Sequence, residues 1–390
     1  MANIVKHPVI ALLADFPWSF LEEGAKGRGA GQQSTWLSQL ADQYAKGNAC
    51  EMHWISIDRD KNAKKYEKIQ WGGQQFHKFK GNRLRTDLML NCLPSRRLLM
   101  RFLRDLNPSL LHCWGTETTY PSILRNSHIP GILSMQGILS EYRRIGGLPR
   151  TWIWDRLATL EPTYLNHADI VTCESQWGMD MVRNAAPEAE IRKVEYGVNP
   201  SFYDLTWKPD SENPFALYSG SIDYRKGLDV LLDSLDSIPG RNWTLKIAGD
   251  GPMRPELEGR GLARVEWLGL LRWNELQSQL CQATCLVLPT RADTSPNVAK
   301  EARVVGLPVI TTRHGGQSGY IMHGRNGLIV DPLDAANLAE ALQSTMTKPD
   351  LARTLGACNH DHDREYFRPE HTADGFLKLY DELLERALAR

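Results

Sequence analysis

The sequence predicts an α/β protein of two doubly wound, parallel-sheet domains facing one another across a cleft, and three observations carry that prediction. Short apolar runs alternate with helical patterns along the whole chain, the pattern of parallel strands joined by crossover helices. The 390 residues suffice for two well-buried cores. A polar stretch with two prolines, SFYDLTWKPDSENP at 201–214, separates two complete alternating patterns, as an interdomain linker does.

In the first half VIALLAD, CEMHWISI, SLLHCW, GILSMQG, ADIVTCES and IRKVEYGV read as strands, with STWLSQLADQYA and SRRLLMRFLRDL among the helices between them. The second half continues with FALYSG, TLKIAGDG, VEWLGL, CLVLPT, LPVITT and GLIVD. The expected division is 1–205, 206–370 and a tail at 371–390, whose amphipathic helix FLKLYDELLERALAR is expected to pack back on the first domain. Two such domains leave a cleft between the carboxyl ends of their strands, where binding sites concentrate.

Composition narrows the function classes. Lys and Arg number 46 and Asp and Glu number 46, so no polybasic tail suggests nucleic acid. Residues 1–200 carry 25 basic against 20 acidic residues, net +5, and the remainder 21 against 26, net −5; the first half is the one that would lean on an anionic surface. The seven scattered cysteines contain no CxxC pair, which suggests neither a disulfide framework nor a zinc site. Cys281 and Cys285 read as core packing, and the HDHD run at 360–363 lacks a partner cluster, so no metal is expected. No run approaches the roughly 20 apolar residues of a membrane helix, and VKHPVIALLADFPW is too short and too quickly polar for an export signal. The expected location is the cytoplasm, with peripheral contact at the inner face of a membrane as a further option.

The most informative stretch is DTSPNVAKEARVVGLPVITT, 293–312. Ser295 suits an N-cap and Pro296 the first helical position; Gly306 suits a left-handed stop, which Pro308 enforces. A helix from about Pro296 to Val305 follows, with Val298, Ala302 and Val305 as its apolar stripe and Asn297 and Glu301, four apart, on another face. Its start lies at the carboxyl end of the strand CLVLPT, where free N–H groups and the helix dipole favour an anion. A carboxylate near that crevice suits a polyol, because it accepts from sugar hydroxyls; the alternative is that Asp293 and Glu301 are ordinary surface residues.

Other motifs are weaker. The loop EGAKGRGAGQQS, 23–34, fails the dinucleotide fingerprint, since Gln32 and Ser34 stand where glycine is required, and it fails Walker A. It remains a glycine loop whose amides at Gly29, Ala30 and Gly31 can approach a phosphate or a sugar, or a plain turn. In YSGSIDYRKGLDVLLDSL, 218–235, Arg225 and Lys226 follow a strand end and precede a helix beginning near Gly227, a position where Lys serves as a point charge for phosphate. SRRLLMRFLRDL interleaves Arg with apolar residues and suits either a membrane interface or packing on a sheet with charges outward. The Trp-rich TWIWDRLATLEPTY reads first as core, then as sugar platform or membrane contact.

In order, GSIDYRKG, LKIAGDGP, VEWLGL, DTSPNVAKEARVVGLPVI and GLIVDP resemble the donor-binding domain of glycosyltransferase family 4, retaining enzymes of the GT-B fold with two Rossmann-like domains. The resemblance spans nearly the whole second half. Asp293 and Glu301 match the family's Glu-x7-Glu positions, with Asp for the first Glu. It implies that Glu301 holds the nucleotide ribose, that Asp293 lies near the donor sugar's reacting face, and that Lys226 meets the donor diphosphate. Helix-start residues Ser295, Pro296, Asn297 and Val298 would receive that diphosphate, and Leu268, Gly269 and Leu270 would read the base through backbone. The first half matches more loosely. Gly29-Ala30-Gly31 is similar to the family's glycine loop, VEYGVN to its Asn-Gly-Val-Asp turn with Tyr196 and Asn199 at the outer positions, and SMQG to its His-Gly turn, with Gln136 before Gly137. Gln136 cannot carry the charge of a His. Ser221 stands near a common phosphate-binding Arg position, for which Arg225 is a candidate substitute.

The resemblance implies transfer from a nucleotide-diphosphate sugar to a hydroxyl of a glycan or lipid-linked acceptor, with Lys226, Asp293 and Glu301 as the catalytic set, no metal and no cofactor beyond the donor. A nucleotide-sugar epimerase, a phosphorylase-like enzyme and a two-lobed sugar receptor share the architecture and remain alternatives.

Overall fold

The computed structural model describes residues 7–22, 35–47, 49–125, 127–331 and 333–389. Its first sheet has eight strands: β1 (Val9–Leu13), β2 (Glu51–Asp58), β3 (Tyr66–Trp71), β4 (Gln74–Lys80), β5 (Leu110–Trp114), β6 (Gly131–Ser134), β7 (Ile170–Cys173) and β8 (Ile191–Lys193). The second has six: β9 (Phe215–Ser219), β10 (Thr244–Ala248), β11 (Val265–Gly269), β12 (Cys285–Leu288), β13 (Val309–Thr312) and β14 (Gly327–Val330).

Strand order is β3-β4-β2-β1-β5-β6-β7-β8 in the first sheet and β11-β10-β9-β12-β13-β14 in the second. Each order reverses once, beside β1 and beside β9, which creates the crevice where doubly wound sheets bind ligands. All the strands read from the sequence form, and their pairings are parallel. The departure is β3, which pairs antiparallel with β4. Gly72 and Gly73 turn that hairpin at φ 56° and 76°, the left-handed pair that matches strand twist.

Alternation along the strands builds two cores per sheet. Ile10 and Leu12 face one layer and Ala11 and Leu13 the other; Ala216 and Tyr218, against Phe215 and Leu217, do the same in the second sheet. The last helix, Pro369–Leu388, returns to the first sheet and buries Phe376, Tyr380 and Leu383 in its core. The Tyr380 hydroxyl bridges His112 Nδ1 at 2.7 Å and the Tyr44 hydroxyl at 3.1 Å. Among the described residues no helix is long and apolar enough to cross a membrane.

Candidate active site

Two loops, each leaving a strand beside the reversal of the second sheet, assemble the centre. After β9 the chain makes a short turn, Tyr224–Lys226, capped by Asp223, whose Oδ1 accepts from the Arg225 amide at 2.9 Å. Gly227 follows at φ 69°, and a Cβ there would strike the Pro289 carbonyl, so the turn lies directly on the loop after β12. Lys226 Nζ donates to Asp293 Oδ2 across that contact.

The loop then enters the helix Asn297–Val305, closed as expected by Gly306 at φ 94°. Its start differs from expectation by one residue: Pro296 is the N-cap and Asn297 the first helical residue. Ser295 does not cap, because its hydroxyl donates instead to Glu195 Oε1 of the first half at 2.9 Å. Neighbours make similar bonds. Thr294 Oγ1 donates to the Gln136 carbonyl at 2.9 Å, and Ser175 Oγ donates to the Thr294 carbonyl at 2.6 Å. The loop carrying Asp293 is thus stitched to both halves.

Between the halves lies a cleft of about 810 Å³, lined by Gln136, Gly137, Arg225, Asp293 and Asn297, with Glu117, Tyr142, Trp36, Trp154 and Asp223. Arg225 spans it: its guanidinium lies 4.5 Å from the centre of the Tyr142 ring and donates to Asp223 Oδ2 at 2.8 Å. Ser221 donates to that same oxygen at 2.7 Å.

Asp293, Arg225 and Asn297 therefore line one cleft, and Lys226, outside that lining, joins them through Asp293. Glu301 lies one helical turn beyond Asn297 on the same face; it is buried rather than exposed, and burial pushes its carboxyl up to about 7, with Lys300 pulling the other way. Val298 packs half-buried on the second core. Leu268, Gly269 and Leu270 end the edge strand β11 outside the lining of this cleft, tied back by a 2.7 Å bond from the Gly249 amide to the Gly269 carbonyl. Leu270 is exposed. Gly29, Ala30 and Gly31 lie outside the described residues. Tyr196 is buried, its hydroxyl accepting from Trp114 Nε1 at 3.2 Å, and Asn199 Oδ1 accepts from the Ser201 amide at 3.0 Å.

Several residues escaped the sequence reading. Glu117, on the loop after β5, projects its carboxyl over Gly137, where a Cβ would lie 2.6 Å from Oε1. Oε2 is buried without a partner among the described residues. Burial pushes this group up to about 7; backbone amides, including that of Gly137, oppose the shift, and the charge of Glu161 adds to it. Glu161 itself is fully consumed by structure, accepting from Thr116 Oγ1 at 2.5 Å and from the Leu139 and Ser140 amides at 2.9 and 2.8 Å. The Trp-rich segment is a helix, Trp152–Leu165. Leu157, Ala158, Tyr164 and Leu165 bury the segment in the core, as expected, and Trp154 packs half-buried against that core while lining the cleft; Trp152 alone of the two is exposed. The HDHD run is structural: His360 Nε2 bonds the Val304 carbonyl at 2.9 Å and Asp363 accepts from buried Arg303 at 2.8 Å. No group of three or more His, Cys, Asp or Glu placed to hold a metal occurs among the described residues.

The chemistry is that of two adjacent cations, each neutralised by a carboxylate, beside a helix start and under buried carboxyl groups. Such a wall can take a diphosphate and grip polyol hydroxyls.

Residues 213–348 match the family model of glycosyl transferases group 1. An uncharacterized glycosyltransferase of Methanocaldococcus jannaschii is 30% identical over 173 residues, covering 43% of this chain and 48% of that protein. Glycogen synthase of Mycobacterium tuberculosis is 28% identical over 264 residues, 64% of this chain and 63% of the enzyme. The chain thus spans about half to just under two thirds of these relatives' lengths. Sucrose-phosphate synthase from Thermosynechococcus elongatus superposes with TM-score 0.79 at 21% identity, covering 97% of this chain and 100% of that one. Anabaena HepE in complex with UDP-glucose superposes at 0.71 and 15% identity over 96% and 100% of the two chains. The fold is GT-B.

Proposed function

We propose that the protein is a glycosyltransferase that moves a sugar from a nucleotide-diphosphate sugar to an acceptor hydroxyl, with retention at the anomeric carbon and without a metal. The observation that carries this reading is the Lys226–Asp293 contact beside Asn297, on the wall of an 810 Å³ cleft. In such a transfer negative charge grows on the departing diphosphate while the anomeric carbon gains cationic character. A site preorganised for that change aims cations and amide N–H groups at the leaving group. Lys226, Arg225 and the helix start at Asn297 fill that role, with Asp293 holding the ammonium and facing the donor sugar. Glu301 is assigned to the ribose, and Leu268–Leu270 to the base at the edge of the second sheet.

The acceptor is assigned to the first-half wall, where Trp154 and Trp36 offer aromatic faces and Glu117 an unpaired carboxyl oxygen. A sugar hydroxyl, on a glycan or on a lipid-linked sugar, fits that wall. The attacking hydroxyl's proton passes to a leaving phosphate oxygen, so no protein nucleophile is required. Relatives named as a glycogen synthase and as a D-rhamnosyltransferase of Pseudomonas aeruginosa are in keeping with sugar transfer.

The test is a panel of nucleotide sugars, read first as protection against thermal unfolding and then as transfer to glycan and lipid-linked acceptors. One donor should protect and be consumed only when acceptor is present. A donor converted in the absence of any acceptor would make the protein an epimerase instead, and a panel without protection would remove the donor site.

A further inference from the structure

A second cavity, of about 390 Å³, opens on the first half away from the cleft. Arg96, Arg125 and Arg156 line it, with Leu90, Leu93 and Tyr164. We propose that it binds the phosphate of an anionic lipid, with the apolar side chains around its mouth entering the bilayer. The inference is independent of the sugar-transfer reading.

The cations here are uncommitted. Arg96 Nε is buried with no hydrogen-bond partner among the described residues, and Arg156 spends one nitrogen on Asn91 Oδ1 at 2.6 Å. None of Arg85, Arg96, Arg97, Arg101, Arg104, Arg125 or Arg156 forms an ion pair among the described residues, whereas arginines elsewhere, such as Arg254, Arg291, Arg303 and Arg386, do. From Leu84 to Leu106 there are five arginines and two acids, and one of those acids, Asp87, is buried against Arg59 and Ser95. An unpaired guanidinium fork in a cavity suits a phosphate.

The rim is apolar to an unusual degree. Leu90 is 53% exposed, Leu93 41%, Met100 38% and Trp152 47%, four of the ten exposed large hydrophobic side chains described. They share one face. Leu90 and Leu93 line the cavity, Met100 lies two turns beyond Leu93 on the helix Leu93–Leu106, and Trp152 lies one turn before Arg156 on the helix Trp152–Leu165. Scattered exposed hydrophobics need no explanation, but a cluster rimming unpaired cations does. The combination matches an interfacial surface, in which apolar side chains enter the acyl boundary and basic ones meet anionic headgroups. The helix Trp152–Leu165 also joins this face to the cleft. Trp154 lines the cleft and Arg156, some 200° round the helix, lines the arginine cavity.

The experiment sediments the full chain with vesicles of phosphatidylcholine alone and of phosphatidylcholine with phosphatidylglycerol. Expected is binding to the anionic vesicles only, weakened by salt. Arg96→Gln/Arg125→Gln/Arg156→Gln should lose about 100-fold in vesicle affinity, and Leu90→Ser/Leu93→Ser about tenfold or more. Arg125→Glu alone, at an exposed position that leaves the fold intact, should already weaken binding. Equal binding to both vesicle types, no binding to either, or unchanged binding by the arginine variants overturns the proposal. So does protection against unfolding by inorganic phosphate without vesicle binding, which would make the cavity a free-phosphate site.

Discussion

Lys300 and Glu174 form a buried ion pair that joins the two halves of the molecule. Lys300 Nζ, on the helix Asn297–Val305, lies 3.0 Å from Glu174 Oε2 at the end of β7, 3.0 Å from the Tyr196 carbonyl and 3.6 Å from Glu195 Oε1. Its side chain is wholly inaccessible. Replacing one member of such a group leaves uncompensated charge in the interior, which costs about 3–5 kcal/mol. Lys300→Met should therefore destabilise the protein by that amount in denaturant unfolding, and Lys300→Met/Glu174→Leu should recover part of the loss. Equal stability of Lys300→Met and parent would mean that the halves are held by something else.

Lys226 holds Asp293, which lines the cleft, so its removal acts on chemistry before it acts on folding. Lys226→Ala should lower turnover about 100-fold, the scale of losing one donor aimed at developing charge, while the circular dichroism spectrum is retained. Turnover within a few-fold of the parent would exclude this lysine from stabilising the leaving group.

What the sequence disclosed and what it hid follow from the range of the interactions. Strand, loop, helix start and glycine stop at 285–306 are set by neighbours a few residues apart, and so Asp293, Asn297 and Gly306 were legible. Ser295 obeyed the same local rules until Glu195, a hundred residues away, took its hydroxyl. Glu117, Tyr142 and Trp154 come from three separate elements that meet only in the folded cleft, and no spacing rule links them. The β3–β4 hairpin was missed because YEKIQW and QQFHKFK are largely polar strands at the sheet edge; the Gly72-Gly73 pair between them was the available signal.

Glu301 is assigned to the nucleotide ribose, and its contribution should show in binding rather than in turnover. Above pH 7, where its raised carboxyl is charged, a hydrogen bond to it contributes about 1.5–3 kcal/mol, or about 10–100-fold in affinity. Titration calorimetry of Glu301→Ala with the nucleoside diphosphate of the protecting donor should show a loss in that range. Unchanged affinity would withdraw the ribose assignment.

Glu117 should make stability fall as pH rises. Burial pushes its folded-state pKa up to about 7 from the ordinary value near 4.5, so between those values the folded protein holds a proton that the unfolded chain has released. The stabilisation is complete below the unfolded pKa and is lost as pH climbs through the folded one, at up to about 1.4 kcal/mol per pH unit. His77, held near 4 by burial, works in the opposite sense below 6.5, because there the unfolded chain binds the extra proton. Subtracting Glu117→Gln from the parent removes the His77 contribution and leaves the carboxyl alone. From pH 5 to pH 8 the parent should lose roughly 2–3 kcal/mol relative to Glu117→Gln in denaturant unfolding. Parallel stability curves for the two proteins would mean that Glu117 is as well solvated in the fold as in the unfolded chain, and its place on the acceptor wall with a buried, unpartnered oxygen would fall with it.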